Sequence, residues 1–70
     1  METQMVSSTD IESVGYDSST STLEIRFHSG GVYHYFNVPL NVYQNLMSAS
    51  SHGKYFAAHI KNVYRFTKIG

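Results

Sequence analysis

The sequence predicts an α+β domain: a small antiparallel three-stranded β-meander, then two short helices and a short C-terminal strand. Two observations carry this reading. Alternating apolar and polar residues, broken by turn residues, fill positions 11–36, and from Pro39 onward the apolar spacing changes to that of a helix. The strand-like and helix-like runs do not interleave, which opposes a parallel βαβ sheet. A chain of 70 residues makes one domain, expected over residues 10–70 behind a loose, polar segment over 1–9.

The first strand is expected from Ile11 to Asp17, where Val14 and Tyr16 alternate with polar neighbours before the turn cluster Asp17-Ser18-Ser19-Thr20-Ser21. Thr22 to Phe27 alternates most cleanly, with Leu23, Ile25 and Phe27 on one face and Glu24 and Arg26 on the other. His28-Ser29-Gly30-Gly31 supplies glycines for a tight turn, and Val32 to Phe36 returns as a strand of β-forming residues.

Pro39 suits the first turn of a helix, and Val38, Val42 and Leu46 recur every four residues beside Tyr43 and Met47, so the spacing predicts a helix over Leu40 to Ser48. Ser50-Ser51 offers a cap for a second helix with Phe56, Ile60 and Val63 on one stripe and Lys54, Ala58 and Lys61 on another. Alternation over Tyr64 to Ile69 suits the closing strand. The core expected from these periodicities holds Val14, Tyr16, Leu23, Ile25, Phe27, Tyr33, Tyr35, Tyr43, Leu46, Phe56 and Ile60. It rests on rings, since the chain has six Tyr, four Phe and no cysteine.

Hairpin register decides what Tyr33 and Tyr35 do, because one residue more or less in the loop exchanges the faces of the strand. An even loop, Ser29-Gly30, pairs Arg26 with Tyr33 and Glu24 with Tyr35 and exposes both rings as a stacking platform for unpaired bases. An odd loop, His28-Ser29-Gly30 with a left-handed Gly30, pairs Ile25 with Tyr33 and Leu23 with Tyr35 and sends both rings to the core. It also sets His34 opposite Glu24. The odd loop is favoured, since so small a core needs those rings, although it leaves Val32 and Phe36 on the outer face in need of cover.

Net charge is zero, yet all five acidic residues precede position 25 and all five basic ones follow it. The basic remainder is the expected nucleic-acid contact: Arg26, His34, Lys54, Lys61, Arg65 and Lys68, with Tyr33 and Tyr35 added in the even register. Lys54 and Lys61 are read as two turns apart on one helix. The competing reading of so sparse a set is ordinary solvated charge. No metal and no cofactor are expected, because His52 and His59 are seven apart and no acidic residue follows Glu24. Catalysis is not expected either: there is no thiol, no nucleophile elbow and no evident orienting carboxylate for a histidine base. No run is long enough for a membrane span, and a cytoplasmic location is the default.

The ordered set Gly15-Tyr16-Asp17, Leu23-Glu24-Ile25-Arg26-Phe27, Tyr33-His34-Tyr35, Val38-Pro39, Ser51-His52-Gly53-Lys54-Tyr55-Phe56 and His59-Ile60-Lys61 resembles the KTSC domain. That module is met at the carboxyl end of some lysyl-tRNA synthetases and as small free-standing bacterial and phage proteins. The resemblance runs from about Val6 to Ile69, with Tyr33-His34-Tyr35 matching the family's central Tyr-x-Tyr. Tyr64-Arg65-Phe66 stands where the family often has Tyr-Pro-Tyr. It implies a non-enzymatic binding module with RNA, either tRNA or a single strand, as the partner. The alternative, resting on zero net charge and surplus aromatic surface, is a protein-interaction or self-associating module.

Overall fold

The structure, a computed structural model, describes residues 1–70. The strands β1 (Thr3–Met5), β2 (Ile11–Asp17), β3 (Thr22–Phe27), β4 (Val32–Tyr35) and β5 (Phe66–Lys68) form one antiparallel sheet in sequence order. Helices α1 (Leu40–Ser48) and α2 (His52–His59) intervene between β4 and β5. The expected three-stranded meander is the middle of this sheet; the expected closing strand forms one edge as β5, and β1 adds the other.

The N-terminal edge corrects the reading of residues 1–9 as loose. Met5 pairs with Ser13 and Thr3 with Gly15. Ser8 Oγ accepts the Asp10 and Ile11 amides, and the Val6 amide donates to the Glu12 carbonyl at 3.1 Å. Polar composition concealed the strand because an edge strand with all three residues exposed needs no apolar alternation. Gly15 makes the approach possible: a Cβ there would lie 2.8 Å from both the Glu2 carbonyl oxygen and Thr3 Cγ2.

The β3–β4 hairpin takes the odd register. Leu23 opposes Tyr35, Glu24 opposes His34 and Ile25 opposes Tyr33. The Phe27 amide donates to the Gly31 carbonyl and the Gly30 amide to the Phe27 carbonyl, each at 2.9 Å, enclosing His28-Ser29-Gly30 with Gly30 at φ 106°. Tyr33 and Tyr35 therefore face the helices. The exposed two-ring platform of the even register does not form.

Ile11, Val14, Leu23, Ile25, Val38, Leu46 and Ile60 are wholly buried, with Tyr35 and Phe56 nearly so. Ile11 and Val38 are core residues absent from the expected list: Ile11 opens β2, and Val38, though on the four-residue spacing, precedes the N-cap of α1. Tyr16, Phe27, Tyr33 and Tyr43, expected in the core, are half-buried and pack against it. Tyr16 stacks on Tyr43 at 4.9 Å, and its hydroxyl donates to the Val38 carbonyl. The Val38 amide donates to Ser21 at 2.9 Å, so the β2–β3 turn and the entry to α1 hold one another.

Pro39 is the N-cap of α1 rather than part of its first turn, and its carbonyl accepts the Val42 amide. Ser51 caps α2, its side chain accepting the Lys54 amide. Helix α2 ends at His59, with Asn62 left-handed at φ 65° two residues beyond the Ile60 cap. Lys61 is therefore on the following turn, not on the helix with Lys54. Val63 is 61% exposed and leaves the stripe expected for it. The final strand is shorter than the alternation suggested, beginning at Phe66 after Tyr64 and Arg65.

Candidate nucleic-acid interface

Register and pleat sort the basic residues onto two surfaces. Arg26 and His34 point to the sheet face away from the helices, together with Glu24. There the Glu24 carboxylate accepts Arg26 Nε at 2.9 Å through one oxygen and lies 2.8 Å from His34 Nε2 through the other. Glu24 is 6% exposed, so this ion cluster is a fixed part of the sheet. Burial pushes its carboxyl up, but the hydrogen bonds and charges of His34 and Arg26 outweigh that and hold it below the ordinary glutamate range. Both Arg26 and His34, expected at the interface, lie against a carboxylate on the face away from the lysines.

The helical side carries three adjoining hollows. The first, about 700 Å³, lies between the Ser8–Asp10 segment and the start of α2 and includes Lys54. The second shares Asp10 and Gly53 with the first and Phe27, Phe56 and Lys61 with the third. The third, about 460 Å³, is walled by Tyr33, Tyr35, Phe56, Phe66, Lys61 and Lys68. Lys54, Lys61 and Lys68 thus mark successive stretches of one groove.

Their electrostatic settings differ. Asp10 stands in the first hollow with Lys54 and in the second with Lys61, its carboxylate beside Gly53. No acidic residue lines the third hollow, and neither Lys61 nor Lys68 makes an ion pair. Arg65 is exposed just ahead of β5 and lines none of the hollows.

The floor of the third hollow is a ring cluster. Phe66 lies 5.9 Å from Tyr33 and 5.6 Å from Tyr35, centroid to centroid, and Phe56 meets Tyr35 edge-on at 5.4 Å. Burial, with Tyr33 adding to it, pushes the Tyr35 hydroxyl up to about 12. Phe66 stays 55% exposed. Sequence reasoning named Tyr33, Tyr35, Lys61 and Lys68 but missed Phe66. Its place opposite Tyr35 depends on β5 pairing with β4, a long-range contact with no signal in local alternation.

No group of three or more His, Asp or Glu side chains is arranged to hold a metal ion. No helix is long and apolar enough to cross a membrane.

Fold and groove together define a class, a small two-layer α+β domain with a basic, aromatic hollow where helix meets sheet. The KTSC domain model matches residues 7–64, and the chain belongs to that family. A crystal structure of a KTSC domain protein from Yersinia pestis superposes with a TM-score of 0.96 at 45% identity, covering 99% of this chain and 97% of that one. A lysine–tRNA ligase of Trichormus variabilis is 42% identical over 59 residues, 84% of this chain and 10% of the ligase. An uncharacterized protein of Stutzerimonas stutzeri is 37% identical over 70 residues, 99% of each chain. The chain spans about a tenth of the length of the ligases it matches.

Proposed function

We propose that this chain is an RNA-binding module whose contact surface is the groove beside α2, centred on the hollow between Lys61 and Lys68. The observation that carries the reading is two unpaired lysines on an aromatic hollow that no carboxylate lines. Phosphate contacts supply most of the affinity of such surfaces, and uncommitted ammonium groups are what they require. Occurrence of a similar domain as a tenth of lysine–tRNA ligases supports RNA as the polyanion. Arg26 and His34 drop out of the interface, since Glu24 already holds them. Lys54 and Arg65 become peripheral.

Salt-titrated binding to tRNA and to single-stranded RNA tests this. Replacing Lys61 and Lys68 together with Gln is expected to leave the fold intact, weaken binding and flatten the salt slope by about 1.4–1.8 units, two contacts at about 0.7 each on single strands or 0.9 on duplex. Lys54→Gln is expected to do less. If the wild-type protein shows no salt-dependent RNA binding at low ionic strength, the reading falls and self-association becomes the better one. That second reading has its own observation. Met5 on β1, and Phe36 and Ile69 next after β4 and β5, are exposed apolar side chains, and light scattering measures self-association directly.

A further inference from the structure

Among the rings on the helical side of the sheet, Phe66 alone belongs to an edge strand and is more than half exposed. Tyr35 and Phe56 are buried beneath it, and Phe27 and Tyr33 are half-covered. Its ring rests on Tyr33 and Tyr35 and so presents an apolar surface to solvent. Lys61 and Lys68 stand in the same hollow.

Gly31 adds a second, independent sign that this space is kept open. Its backbone is not in the left-handed region, so no conformational demand calls for glycine there. A Cβ at Gly31 would lie 3.0 Å from the Tyr33 ring and 3.9 Å from the end of the Lys68 stem. Glycine keeps the Tyr33 ring edge uncrowded, whereas the Lys68 stem would be met only at ordinary contact distance. Asn62 also lines the hollow and brings an amide that can both donate and accept. The volume, about 460 Å³, is within the range of small-molecule sites.

We propose that the hollow between α2, β4 and β5 takes one unpaired base of a single-stranded RNA, stacked on Phe66, with neighbouring phosphates on Lys61 and Lys68; this rests on the RNA reading above. A ring can stack only on a base whose face is free. Within a duplex those faces are covered by neighbouring pairs, so the ring selects single strands while the lysines do not discriminate. Every base has such a face, so the site is tolerant of sequence. Asn62 is placed to contact the edge of the stacked base.

Three RNA probes of equal length decide it: a single-stranded oligouridine, a duplex, and an abasic strand that keeps the charge and lacks the bases. The wild-type protein is expected to prefer the oligouridine to the abasic strand and to the duplex. Phe66→Ala is expected to weaken oligouridine binding by about five- to 150-fold, the worth of one stacked base, while leaving abasic binding and the salt slope unchanged. Phe66→Trp is expected to restore affinity and to report the base through quenching of its fluorescence, since the chain has no other Trp. Equal affinity for all three probes, or a Phe66→Ala variant that binds oligouridine like wild type, overturns the stacking site and leaves the RNA-binding reading standing. Failure to bind any probe overturns both. Should Phe66→Ala fail to fold, the comparison of oligouridine with the abasic strand in wild-type protein still decides.

Discussion

Glu24 is the residue on which the outer sheet face depends. Its carboxylate holds Arg26 on one side and His34 on the other, and removing one partner of a buried charged cluster costs more than making it yields. Its carboxyl titrates below the ordinary value of 4.5 in the folded state. The resulting stabilisation is therefore fully present above pH 4.5, and it is lost as pH falls through the lowered folded value. Glu24→Gln is expected to lose about 1–3 kcal/mol at neutral pH, and less in acid, where the wild-type carboxylate is itself protonated. Urea midpoints of both proteins at neutral pH and well below pH 4.5 measure this; a constant gap between them would contradict it. The opposition of Glu24 and His34 was legible in the sequence once the odd register was chosen. That it immobilises Arg26 as well, two residues along the same strand, was not, because alternation gives the face of a side chain and not its rotamer.

At the scale of elements, the β3–β4 hairpin fixes the site because its register decides which way the tyrosines point. Three loop residues set that register, and Gly30 carries the positive φ it requires. Nothing lies within 4 Å of a Cβ built at Gly30, so the cost of a side chain there is conformational alone. Gly30→Ala is expected to destabilise by about 1–2 kcal/mol, seen as a lower urea midpoint with an unchanged slope. An unshifted midpoint would show that the loop tolerates another backbone path. The central hairpins, α1 and the Ser51 cap were readable because each writes its own local pattern. The edge strand β1, three exposed polar or flexible residues, was not; β5 was readable as a closing strand, but its pairing with β4 was not. Lys68 was legible as a basic residue near the C-terminus, but Phe66, which β5 sets opposite Tyr35, was hidden for that reason.

For the molecule as a whole, stability is narrow. A 70-residue chain without cysteine is expected to be stable by only about 3–5 kcal/mol. Ile25 is wholly buried in the central strand β3, and truncating it to Ala removes about 2–5 kcal/mol. Circular dichroism at room temperature is expected to show Ile25→Ala largely unfolded; a cooperative melt close to that of wild type would refute its place in the core. The charge asymmetry of the sequence becomes spatial because the strands are ordered 1-2-3-4-5. Glu2, Glu12 and Asp17 belong to the β1–β2 side, and Lys61 and Lys68 to the β5 side. The third hollow, which both lysines line, therefore holds no carboxylate, although Lys61 shares the second with Asp10.

The same strand order bears on how such a domain can be attached to something else. Chain entering through β1 arrives at one flank of the sheet, while Phe66 and Lys68 sit on the opposite flank. A tether at the β1 end would act as a handle, leaving the hollow turned away from the body that carries it. Immobilising the protein through residues ahead of β1 therefore presents the groove to solution, and anchoring it beyond β5 crowds the groove.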